Sequence, residues 1–240
     1  PLAVFGIAMG IVLLPSLSKE IKKNDHKKIK TIQNRSIEFC LLISLPAAVG
    51  LYILSEPIIH ILFERGAFVS EDTLYTAQVL SMFALGLPAY ILIKMLVTCF
   101  FAREDTKTPL YVSLVSVTTN IILSLILIQS MREMGIALAT AVSAWINALL
   151  LYIILNIRDN IALDSRLIRN GYKIIICSFV MGIICYFLNL TLLSNMVMLS
   201  TILNFGALTL AVLINQIVYI VMIFMLKVLT IDEFKGYIKK

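Results

Sequence analysis

Charge is the first thing this sequence lacks. Asp, Glu, Lys and Arg make up 14% of its 240 residues, against about 25% in an ordinary soluble domain. So few ionised groups cannot wet the surface of a soluble fold, and that class is excluded. Cysteine is scarce as well. Cys40, Cys99, Cys177 and Cys185 all fall inside apolar runs. They form neither a disulfide framework nor a zinc-ligand spacing, and they read as buried small hydrophobes. The sequence has no glycine-rich phosphate loop, no GxGxxG, no HExxH and no GxSxG, and no two carboxylates sit at depth in one helix. Enzymatic chemistry has no visible carrier, and no cofactor or metal is implied. The chain opens at Pro1 without an initiator Met or a basic leader, so its first apolar run does not read as a signal peptide. The expectation is a piece of a longer protein.

What the sequence has is grease. Hydrophobic residues make up 60% and the mean hydropathy is +0.97. Seven apolar runs stand out, at about 1–18, 36–63, 74–102, 109–130, 135–157, 171–194 and 199–227. Each is long enough to span a bilayer as a helix, the first only just. The runs are continuous rather than alternating, which excludes a closed barrel. The expected fold is an all-α polytopic membrane protein with about seven transmembrane helices.

The loops set the orientation. Lys and Arg number seven in 19–35, one in 64–73, two in 103–108, one in 131–134, four in 158–173, none in 191–198 and four from Lys227 on. Richer and poorer loops alternate without a break. By the positive-inside rule the richer ones are cytoplasmic, which puts the chain start outside and Lys240 inside. The net charge of +6 is thus concentrated in short loops, which points to anionic lipid headgroups rather than nucleic acid. The stretch 19–35 carries Ile21, Ile29 and Ile32 as a thin apolar stripe. It reads either as a short helix lying on the inner leaflet or as a topology determinant alone.

Lys94 is the only basic residue outside these loops. It lies nine residues before Arg103, or roughly 13 Å along a helix, near the middle of a ~30 Å hydrocarbon core. A lysine there is costly and is expected to face a bundle interior or a wet cavity; the alternative is that it snorkels, with a side chain that reaches only about 6 Å. Gly86 and Pro88 precede it and predict a break in mid-membrane, as at transporter sites. Pro15 predicts a bend in run one, and Pro46 bends run two. Arg35 and Glu38 sit at the inner mouth of run two, and His60 about one turn inside its outer end. His60 reads as a pH-sensitive gate or as an interfacial histidine without a role. Thr108 and Pro109 predict an N-cap and first position for run four. Asn120, near its centre, reads as a hydrogen bond across helices or as a ligand contact. Alanines 137, 141, 144 and 148 form a ridge for tight packing in run five, and Gly6 and Gly10 a weaker small-residue pair in run one.

The segments PLAVFGIAMGIVLLPSLSK, LPAAVGLYILSEPIIHILFERGAF, IKMLVTCFFAREDTKTP and GIALATAVSAWINALLLY resemble the lipid II flippase family MurJ/MviN of the multidrug/oligosaccharidyl-lipid/polysaccharide exporter superfamily. The resemblance covers residues 1 to about 157; beyond about 170 only hydropathy and helix count agree. It implies a fourteen-helix transporter with two lobes around a central cavity. This chain then corresponds to helices eight through fourteen: residues 1–157 to C-terminal-lobe helices, and 158–240 to the last two helices and a cytoplasmic tail. The implied function is moving the lipid-linked, anionic peptidoglycan precursor from inner to outer leaflet in a bacterial plasma membrane. The partners are that precursor, membrane lipids and a missing N-terminal lobe. Lys94, Arg35, Glu38 and Asn120 are the candidate substrate contacts, and Pro46, Pro88 and Gly86 the candidate hinges. In many relatives the start of run two has a cavity-facing basic residue; here that position reads Glu38, so either Arg35, about a turn earlier, substitutes or the anion contact is weaker. Another exporter of the superfamily, or an inactive truncated remnant, is the alternative. A seven-helix photoreceptor is disfavoured, because the last run has no lysine before Lys227.

Overall fold

The computed structural model describes residues 12–158, 160–193 and 201–228. Among them there is helix and no strand. The elements are α1 (Leu14–Lys22), α2 (His26–Ile53), α3 (Ser55–Phe63), α4 (Ser70–Phe101), α5 (Lys107–Ile157), α6 (Ser165–Leu188) and α7 (Thr201–Met225). A π-helical turn, Asn189–Leu193, extends α6. Five of these helices are long and apolar enough to cross a membrane.

α5 is two antiparallel arms, 107–131 and 133–157. They fold back at Arg132, whose φ of 51° and ψ of −133° lie outside the helix. A Cβ on Gly135 would come within 2.6 Å of the Leu127 carbonyl oxygen, so this tip closes only around a bare glycine. The hairpin holds the fourth and fifth runs. The chain then traverses the bundle along α2–α3, α4, both arms of α5, α6 and α7, in keeping with the alternation of loop charge. The candidate small pair Gly6 and Gly10 lies outside the described residues.

Local signals start the helices. The Asp25 carboxylate accepts from the Lys28 amide at 3.1 Å and opens α2. Asp164 does the same for α6, from the Leu167 amide at 2.6 Å, and Asp72 accepts from the Val69 amide at 3.0 Å at the head of α4. Each carboxylate satisfies an amide that a helix start leaves orphaned.

Three expectations need correction. Residues 26–35 are the first turns of α2, and no separate helix lies flat there; Ile29 is buried in the core, with Ile21 and Ile32 packed against it. Pro15 stands in the first turn of α1, and most of the run it was expected to bend lies outside the described residues. α4 runs unbroken through Gly86 and Pro88. The cap of α5 is also different: Asp105, not Thr108, is the capping side chain, accepting from the Thr108 amide at 3.0 Å.

The main core joins α1, α2, α4 and both arms of α5 through Leu17, Ile37, Cys40, Met95, Cys99, Val112 and Leu151. A second cluster seats α6 and α7 on α2 through Ile174, Cys177, Tyr219 and Ile223. All four cysteines are free and buried. The alanine ridge packs as its spacing predicts: Ala144 and Ala148 meet Ala89 of α4, and Ala137 and Ala141 are buried too. Gly86 belongs to this seam. A Cβ there would stand 3.0 Å from the Ala141 Cα and 2.6 Å from the Tyr90 hydroxyl. The Trp145 indole donates across the seam to the Leu85 carbonyl at 3.0 Å.

Candidate functional site: an exposed lysine beside a polar groove

The four candidate contacts fall into two separate clusters. Lys94 is exposed on α4, on a stripe that carries Phe83, Tyr90 and Phe101 at helical spacing. Its ammonium has no hydrogen bond or ion pair among the described residues. On the adjoining face Tyr90 and Ile93 border a groove of about 400 Å³, whose other wall is the hairpin, with Ser116, Asn120, Thr140 and Asn147. Every polar group in this lining is uncharged. The Tyr90 hydroxyl is buried and has no partner.

Asn120 reaches this groove and also clasps the hairpin. Its Nδ2 donates to Thr140 Oγ1 at 3.1 Å and to Ser143 Oγ at 3.2 Å, and its Oδ1 accepts from Ser124 Oγ at 3.2 Å. Ser116 adds a bond to the Ser143 carbonyl at 2.9 Å. The hydrogen bond across helices expected of Asn120 is present, and the same side chain lines the groove.

Arg35 and Glu38 belong elsewhere. They sit where α2 meets α6, inside a polar knot at the lysine-rich end. Arg35 pairs with Glu38 and with Asp164. Glu38, only 5% exposed, also accepts from Asn170 Nδ2 at 2.6 Å and lies 3.9 Å from Arg166 Nε. Asn34 holds the connector ahead of α6, donating to the Ala162 carbonyl at 2.8 Å and accepting from the Asp164 amide at 3.1 Å. Asn170 reaches the Val228 carbonyl at 3.4 Å, and Lys173 the Leu226 carbonyl at 2.7 Å, which ties in the end of α7. A guanidinium flanked by two carboxylates has little positive potential left for an anion. As a substitute anion contact Arg35 is thus compromised by its own neighbours.

A second polar joint closes the hairpin's feet at the same end. Arg158 donates to Asp105 at 2.7 Å and to the Thr108 hydroxyl at 3.1 Å. The Thr108 hydroxyl and amide, then Arg158, hold the Asp105 carboxyl down at about 2. Arg103 donates to the Cys99 carbonyl at 2.7 Å and the Asn160 carbonyl at 3.0 Å.

At the opposite end His60 Nδ1 lies 2.7 Å from Glu64 Oε2, and the Thr73 hydroxyl donates to that same oxygen at 2.6 Å. No group of three or more His, Cys, Asp or Glu side chains that could hold a metal is found among the described residues.

Sequence reasoning does not single out Asp164, Asn170, Tyr90 or Asn147. Of these only Asp164 carries a readable signal, as an Asp just ahead of a helix.

Comparison with known proteins follows this geometry. The family model described as "Lipid II flippase MurJ" matches residues 1–206, so the likeness runs past the 157 where the quoted motifs stop. The chain is 42% identical over 227 residues to a probable lipid II flippase MurJ of Rhizobium tropici, covering 94% of this chain and 43% of that protein. It is 34% identical over 233 residues to a probable lipid II flippase MurJ of Thermotoga maritima, covering 97% and 44%. Among solved structures it is similar to "Lipid II flippase MurJ, inward closed conformation", with a TM-score of 0.73 and 29% identity over 92% of this chain and 43% of that one. The chain thus spans less than half the length of these relatives.

Proposed function

The chain belongs to the lipid II flippase MurJ family, and from that premise we propose that it forms part of a flippase carrying the lipid-linked peptidoglycan precursor from the inner to the outer leaflet of a bacterial plasma membrane by alternating access. In this reading the lysine-rich end is cytoplasmic. The rest of the length found in the relatives supplies the facing lobe. A disaccharide-peptide pyrophosphate cannot cross hydrocarbon unaided, because its charges and hydroxyls would be stripped of water. A hydrated cavity with a fixed cation lowers that barrier while the polyprenyl tail stays in lipid.

The observation that carries the reading is the exposed, unpartnered ammonium of Lys94 next to the neutral polar groove. Lys94 supplies the charge for the pyrophosphate. Asn120 and its hydroxyl neighbours supply exchangeable hydrogen bonds for the sugar and peptide. Arg35 and Glu38 take a supporting role, holding the last two helices against α2. Pro46 and Pro88 are the flexing points as the lobes rock.

The test uses the full-length protein in cells depleted of their own flippase. Lys94→Met is expected to abolish growth and trap the precursor on the inner leaflet. Lys94→Arg, which keeps the charge, is expected to restore growth. Normal growth with Lys94→Met overturns this reading.

A further inference from the structure

We propose that His60, Glu64 and Asn204 hold a first-row divalent cation where α3 meets α7, at the end of the bundle away from the lysine-rich turn. This does not depend on the transport reading. His60 and Glu64 stand four residues apart, on one face of the end of α3, with Nδ1 and Oε2 2.7 Å apart. Two ligands each about 2.1 Å from one metal, at the tetrahedral angle, sit about 3.4 Å apart, so the pair must open by about 0.7 Å from its 2.7 Å separation to admit a metal between them. The carboxylate is already oriented: Thr73, which is 2% exposed, donates to Glu64 Oε2 at 2.6 Å, as outer-shell partners of metal ligands do.

Asn204 points independently to a ligand. It is only 9% exposed and its Oδ1 has no hydrogen-bond partner. It lines a pocket of about 130 Å³ together with His60 and Glu64. That volume exceeds what one water needs and accommodates a metal with water completing its shell. The pocket therefore holds an excess of acceptors. Arg65 also lines it, but its guanidinium is turned back to donate to the Leu62 carbonyl. An imidazole with two oxygen donors suits zinc and its neighbours better than magnesium or calcium. With two strong ligands and one amide oxygen, the binding is weak.

The experiment titrates zinc chloride into the tag-free full-length protein in detergent, by calorimetry near neutral pH. One zinc per chain is expected. His60→Ala should weaken binding at least tenfold. Thr73→Val, which only releases the carboxylate, should weaken it about tenfold, and Asn204→Ala should weaken it severalfold. His26→Ala, in the distant lysine-rich turn, should leave it unchanged. No saturable binding, or the same affinity in His60→Ala and Asn204→Ala as in the parent, overturns the proposal, and water alone then fills the pocket.

Discussion

Glu38 of α2 accepts a hydrogen bond from Asn170 of α6 at 2.6 Å, across 132 positions of chain. The carboxylate is buried and is shared with Arg35 and Arg166. Removing it takes an anion away from two guanidinium groups and an acceptor away from a buried carboxamide. Glu38→Ala is therefore expected to lower stability by about 3 kcal/mol, read as a fall in thermal midpoint in detergent. Glu38→Gln keeps the acceptor for Asn170 and should cost less. Equal midpoints for Glu38→Ala and the parent would refute the knot as a source of stability.

Lys94 should behave in the opposite way. Its ammonium has no hydrogen bond or ion pair among the described residues and the residue is exposed. Lys94→Met is expected to change stability by no more than about 0.5 kcal/mol even where it stops growth. Parallel melting curves and growth assays separate the two effects.

Gly86→Ala tests the seam between α4 and the hairpin. The new methyl would stand 2.6 Å from the Tyr90 hydroxyl and 3.0 Å from the Ala141 backbone. Overpacking of this kind costs about 1–3 kcal/mol. Tyr90→Phe would leave the ring Cζ 2.7 Å from that methyl, so the relief is sought in a Tyr90→Ala background, where Gly86→Ala should cost less, whereas the Ala141 backbone cannot yield. Melting curves of the single and double variants decide it.

The hairpin's foot should be acid-sensitive. Asp105 titrates at about 2 in the fold against an ordinary 3.8. A depressed carboxyl contributes its stability fully above the ordinary value and loses it as the pH falls through the folded one. The protection of amides at the start of α5, taken relative to their intrinsic exchange at each pH, is thus expected to be flat from neutral pH to about 4 and to fall between about 4 and 2. Asp105→Asn should exchange faster at neutral pH and lose most of that acid step. An unchanged step in Asp105→Asn would refute the assignment.

The membrane spans were legible because one physical quantity, hydropathy, reports them directly. The alternation of loop charge also foretold which turns share an end of the bundle, and Arg158 meeting Asp105 at 2.7 Å shows two of those turns touching. Ala144 and Ala148 could be read because small residues at helical spacing have few other uses in a membrane. Arg35 and Glu38 could not. Their residue types suggested an anion contact, but what they do depends on Asp164 and Asn170; a local pattern marks Asp164 as a helix cap, and none marks either as a partner of α2. Lys19 to Arg35 misled for a related reason: charge density says which side a segment is on, not whether it lies flat or continues a long helix.

The polar groups of the groove beside Lys94 are hydroxyls and carboxamides, set among Ile93, Val117, Ile121 and Ala144. Exchanging a bond to water for a bond to one of these groups changes the free energy little, and neighbouring groups are nearly equivalent. A sugar or peptide moving along such a wall trades one partner for the next on level ground. Rows of carboxylates or guanidinium groups would instead make deep wells, from which a passenger escapes slowly. Under the function proposed above, such a lining would let a passenger move on, with Lys94 the one charge nearby to make it pause.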